Sequence, residues 1–244
     1  MRKIIIFTYI LLLLSFVTSC SKNDEPVTRE QALSKGYAML DAQQYDEAIQ
    51  YFSDMVSKDP QYHVKLALAS AYAARAGVKI ETIYSFVTAK NSPTLNLPLK
   101  GVTLDQQARD LLKNLGSAVA AWDKIPTVDA GSRNDLQNAV DVLTGEEVPG
   151  VRLYSAALRA VILKSSVQEG LQNWNITSHR QVCVHDVKPY WDWALRILRG
   201  LSDFAGDLEG AFPSKKEISD ARAVIENVKA QANALPIPTE DQCF

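Results

Sequence analysis

Three features of the sequence predict an all-α protein. Apolar residues recur every three or four positions through most of the chain, the spacing that lines them along one face of a helix. Glycine and proline are sparse, 11 and 10 in 244 residues, and they gather between the periodic segments, where they mark turns and stops. No segment shows the two-residue alternation of a half-buried strand. Roughly nine helices are expected, paired in sequence as antiparallel hairpins and stacked as an α-solenoid or a compact bundle.

The first 19 residues are read as a targeting segment that takes no part in the fold. Arg2 and Lys3 form a charged start, and an apolar run from Ile4 to Val17 follows. The run ends in Val17-Thr18-Ser19-Cys20, which resembles the lipobox of bacterial lipoproteins, with Val17 where that family prefers Leu. The resemblance implies removal of residues 1–19, lipidation of Cys20 and a cell-envelope location. Ser21 after the cysteine implies sorting to the outer membrane, with the protein on its periplasmic side. Three acyl chains would anchor the chain firmly, since two lipid signals already suffice for stable attachment. Residues 20–28 then read as a short polar tether. Losing residues 1–19 removes two basic residues and no acidic ones, leaving 24 basic against 28 acidic, a formal −4.

Residues 31–77 give the strongest local pattern: a helix, a tight turn, a second helix, a proline stop and a third helix. Gly36 and Ala48 are expected to face each other where two helices cross. Ile49, Phe52, Met55 and Val56 form an apolar stripe, and Asp46 and Glu47 suit the positive end of the second helix. Asp59-Pro60 closes that helix, because the residue before a proline avoids the helical region. Gly36, Tyr45, Ala48, Phe52 and Pro60 fall where a tetratricopeptide repeat places its packing residues, and the segment resembles one such repeat. A degraded second copy follows, with Phe86 in its aromatic position and Thr82 where alanine belongs. The repeats are expected over 29–93, with further hairpins of the same domain over 94–244.

The elements after the first repeat follow in order. Val64 to Arg75 is an alanine-rich helix with Gly77 as its stop, and 80–90 pairs back upon it. Residues 91–102, with two prolines and a glycine, read as an ordered loop or lid. Thr103 and Gln106 form a capping box for a helix over 104–123. Ser132 starts a helix ended by Gly145 and Pro149-Gly150, and a long buried helix covers 151–174. Residues 173–184 are read as a loop, 190–204 as a helix, and Ser214 with Glu217 as the capping box of the last helix.

Charge is nearly balanced, 26 basic against 28 acidic, so no basic surface for nucleic acid is expected. Beyond Cys20 the chain holds only Cys183 and Cys243. In an oxidising compartment these are expected to form a disulfide, and closing a loop of about sixty residues would contribute about 4 kcal/mol. The rival reading is a metal site in His179, Cys183, His185 and Asp186, but the spacing matches no zinc pattern. No metal or cofactor is expected.

No nucleophile elbow, phosphate loop, HExxH motif or calcium loop occurs, so the chain is read as non-enzymatic. Glu146-Glu147 could mark a cell-wall hydrolase, although adjacent loop carboxylates more often face water. Trp191 and Trp193 point away from each other on a helix, so one is expected in the core and the other at a rim or interface. In tetratricopeptide proteins the first helix of each pair lines a concave partner-binding surface. The resemblance places Tyr37, Leu40, Ala71 and Arg75 in such a groove. It implies a protein-binding scaffold or adaptor whose partner is an envelope protein or peptide. Residues 66–86 also resemble the T-component lipoproteins of TRAP-type transporters. That likeness implies instead a ligand-handling accessory, with a periplasmic solute-binding protein or a small organic ligand as partner.

Overall fold

The computed structural model describes residues 28–79, 125–172 and 184–234, and every regular element among them is a helix. There are seven: α1 (Arg29–Asp41), α2 (Tyr45–Lys58), α3 (Tyr62–Arg75), α4 (Ala130–Leu143), α5 (Pro149–Gln172), α6 (Val184–Ala211) and α7 (Lys216–Ala234). The protein is therefore all-α, as its periodicity predicts. The expected signal segment, Cys20, Cys183, Cys243, and the elements over 80–90, 91–102 and 104–123 lie outside the described residues.

By contact the chain divides into Met1–Lys35 and Gly36–Phe244. In the first, Thr28 caps α1. Its Oγ1 accepts from the Gln31 N–H at 3.3 Å, and its own N–H donates to Gln31 Oε1 at 2.9 Å. This reciprocal arrangement satisfies backbone donors that a helix start leaves unpaired.

In the second unit, α1 and α3 terminate by the same device. The Gln43 and Gln44 N–H groups donate to the carbonyls of Leu40 and Met39, both at 2.9 Å. Gly77 and Val78 do likewise to Ala74 at 3.0 Å and Ala73 at 2.9 Å. This double closure needs a left-handed residue just past the helix. Gly77 supplies it at φ 78°, and Gln43 adopts φ 59° despite its side chain. Gly77 is thus the stop that the sequence predicts.

Ala48, Ile49 and Phe52 are the buried face of α2. The Phe52 ring lies against Gly36 of α1. A Cβ built on Gly36 would sit 2.2 Å from Phe52 Cζ. What Gly36 accommodates is therefore the aromatic ring, whereas the sequence suggested a close approach to Ala48. Tyr37 and Tyr51 pack edge-on to the same ring, with centroids 5.6 and 5.8 Å away.

The core lies between α3, α4 and α5. Ala69 and Ala73 of α3 meet Leu136, Ala139, Val140 and Leu143 of α4 and Val151, Tyr154, Leu158 and Val161 of α5. Alanines on α3 let its neighbours approach from several sides. Among the described helices, α3 packs on α2 and α4, α4 on α5, α5 on α6, and α6 on α7. No residue of α7 is fully buried. It is held to α6 by polar ties, among them Arg222 Nη1 to Glu209 Oε2 at 2.5 Å and Ser202 Oγ donating to Glu226.

Several boundaries differ from the sequence reading. Asp129, not Ser132, caps α4, its Oδ1 accepting from the Ser132 N–H at 2.8 Å. Pro149 starts α5 instead of ending the element before it, because a ring with fixed φ and no N–H suits the first helical turn. The helix expected over 190–204 is longer, since α6 begins at Val184, runs to Ala211 and carries Pro189 internally. At α7 the first carbonyl in use is that of Lys215, which accepts from Ile218 N–H at 3.0 Å, one residue after the expected cap Ser214.

Candidate partner-binding face

The four residues assigned to a groove do not behave alike. Tyr37 is exposed and Leu40 half-buried. Three residues apart on α1, they share one side of that helix. Ala71 has no exposed surface and belongs to the packing of α3, so its place in a groove is corrected. The tetratricopeptide resemblance had implied its groove position but could not show what covers it.

Arg75 is accessible, and each of its three guanidinium nitrogens donates to a carboxylate. Nε and Nη2 donate to Asp135 Oδ2 and Oδ1 at 2.9 and 2.6 Å, and Nη1 donates to Asp46 Oδ1 at 2.5 Å. Asp135 first, then Asp46, holds the guanidinium protonated well above its ordinary range. Its Cζ also lies 5.6 Å from the Tyr72 ring centroid. Arg75 thus ties α3 to α2 and α4. Tyr37, Leu40 and the accessible part of Arg75 are the open part of the assigned groove.

A buried ionic cluster between α5 and α6 was not anticipated. Asp207 is 5% exposed. It accepts from Arg152 Nη1 at 2.9 Å, Ser155 Oγ at 2.6 Å and Arg159 Nε at 2.8 Å. Arg152 Nη2 continues to Glu147 Oε1 at 2.7 Å, and Arg159 Nη1 to Asp203 Oδ2 at 3.2 Å. Hydrogen bonding to Asp207 is the main influence raising the Arg152 pKa. The signal was present as matching stripes: Arg152, Ser155 and Arg159 along α5, Asp203 and Asp207 along α6. A carboxylate enclosed by two cations and a hydroxyl acts as a staple between helices.

The remaining candidates resolve into packing and ion pairs. Glu146 and Glu147 diverge, Glu146 bonding Lys65 Nζ at 2.6 Å and Glu147 bonding Arg152. They therefore share no proton. Trp193 donates from Nε1 to the Ser166 carbonyl at 2.9 Å, and its ring occupies the space where a Cβ on Gly170 would stand, 2.2 Å from Cε2. Trp191 is also half-buried, with its Nε1 enclosed and unbonded among the described residues. His63 is half-buried with its ring 5.2 Å from that of Tyr62. Among the described residues, no group of three His, Cys, Asp or Glu side chains could hold a metal ion, and no helix is long and apolar enough to cross a membrane.

Compared with known proteins, the chain matches no family model, and no curated protein or solved structure is significantly similar to it. Its class rests on its own geometry: an all-α chain whose described helices pack on their neighbours in sequence.

Proposed function

We propose that this chain is a lipoprotein, anchored through Cys20 to the periplasmic side of the outer membrane, that serves as a non-catalytic scaffold for an envelope protein or peptide. One observation carries the scaffold reading. The Phe52 ring seats in the gap left by Gly36, and the α1–α2–α3 segment around it has the residue pattern of a tetratricopeptide hairpin, leaving Tyr37 exposed and Leu40 partly so. Exposed aromatic and aliphatic side chains on a rigid helix suit a protein interface, where such residues act as anchors. A disulfide between Cys183 and Cys243 belongs to the same reading of an exported chain.

The test places a photo-crosslinking residue at Tyr37 or Leu40 in cells making the full chain. One discrete adduct with an envelope protein is expected from both positions, weakened by a Tyr37→Ala change when the probe is at Leu40. If neither position gives an adduct above that of a probe at exposed Lys216, the α1 face is not the binding surface. Cys20→Ala should release the protein from the membrane fraction, and mass analysis of the unreduced chain should find Cys183 and Cys243 joined.

A further inference from the structure

A second surface stands apart from α1. Between α4, α5 and α6 lies an open cleft of about 370 Å³, within the roughly 300–1,000 Å³ of small-ligand sites. Its floor is apolar, with Ile162 of α5 and Ile197 of α6. One wall is the Trp193 ring, fixed by its bond to the Ser166 carbonyl and by its seat on Gly170. A ring held in this way loses little freedom on binding.

Arg196 and Arg199 also line the cleft. Three residues apart on α6, they share a side of the helix. Neither forms an ion pair with any described residue. The acids nearby are already committed. Asp203, on the rim, takes Arg159 at 3.2 Å. Glu169, whose field reaches Arg196, is bonded to Arg133, the first cause of its lowered pKa. Two guanidiniums without an ion-pair partner among the described residues, above an apolar floor and a fixed indole, favour negative charge joined to a hydrocarbon or aromatic body. A guanidinium meets a carboxylate or phosphate with paired hydrogen bonds, a geometry lysine cannot offer.

We propose that this cleft binds a small amphipathic organic anion from solution, its charged group between Arg196 and Arg199 and its apolar part against Trp193, Ile162 and Ile197. This goes beyond the scaffold reading and does not depend on it.

Isothermal titration of the full chain with 3-phenylpropionate tests the assignment, alongside 3-phenyl-1-propanol, inorganic phosphate and phosphatidylglycerol vesicles. Saturable binding of 3-phenylpropionate is expected, with the alcohol and phosphate each at least tenfold weaker. An Arg196→Gln/Arg199→Gln variant should lose at least tenfold in affinity. Both side chains are exposed and outside the ion-pair network, so the variant should keep the parent's melting temperature. Equal binding of the alcohol, unchanged affinity in the double variant, or no saturable binding at millimolar 3-phenylpropionate would each overturn the proposal. Vesicle binding that needs both arginines, without binding of the free anion, would overturn it in favour of a lipid surface.

Discussion

Arg75 grips Asp135 through two nearly parallel hydrogen bonds, 2.9 Å from Nε and 2.6 Å from Nη2, joining α3 to α4 across 60 positions of sequence. The forked geometry cannot be kept by an ammonium group. Arg75→Lys should therefore destabilise almost as much as Arg75→Ala, each by about 1–2 kcal/mol, given the pair's partial exposure. A double-mutant cycle with Asp135→Ala, read by denaturant unfolding, should give a coupling energy near 1 kcal/mol. No coupling would mean the pair is only a surface contact.

Gly36 and Gly170 each hold open the space that an aromatic ring occupies. Alanine in mid-helix ordinarily stabilises relative to glycine by about 1 kcal/mol. Here the sign should reverse, since each new Cβ would lie 2.2 Å from Phe52 or Trp193. Gly36→Ala and Gly170→Ala should cost about 1–3 kcal/mol, as overpacking does. Gly150→Ala, with open space around it, should be neutral or stabilising by about 0.5 kcal/mol. Thermal melts of the three variants check the contrast.

Asp207 is the common acceptor for Arg152, Ser155 and Arg159. Removing it leaves two partly buried guanidiniums with only the more exposed Glu147 and Asp203 as acidic partners. Asp207→Ala should destabilise by about 3–5 kcal/mol. Ser155→Ala removes one donor of three and should cost about 1 kcal/mol. Urea unfolding should rank them in that order.

Burial pushes the Tyr154 hydroxyl up to about 12, against the opposing pull of its bond with Ser70. The neutral form is thus favoured in the folded chain. Its contribution is complete below the unfolded pKa near 10 and is lost as pH rises from about 10 to 12. Across that window Tyr154 should remove roughly 2 kcal/mol of stability. Tyr154→Phe should lower stability at neutral pH yet show a shallower alkaline decline between pH 9 and 12. Identical slopes for variant and parent would exclude Tyr154 as the cause.

Local signals in the sequence read well where one residue settles a local geometry. Gly77 was legible as a helix stop because a left-handed residue is needed there, and Phe52 as core because its neighbours at helical spacing are apolar. Prolines misled where their position decides their meaning. Pro149 begins α5 and Pro189 sits inside α6, yet both look like breaks on a linear chain. Ala71 was placed in a groove by its likeness to a repeat position, but exposure depends on which helix lies alongside. The Arg152–Asp207–Arg159 cluster needed the same knowledge. Its partners are 48 and 55 positions apart, and only the packing of α5 on α6 joins them.

The neighbour-to-neighbour packing of α3 through α7 carries a thermodynamic corollary. When each helix leans chiefly on the one before and the one after, cohesion adds up link by link, and α7, the last of the described helices, has a described neighbour on one side only. With no side chain wholly covered, α7 should open by itself well before the chain melts. Its amide protons would then exchange with solvent sooner than those of α4 and α5.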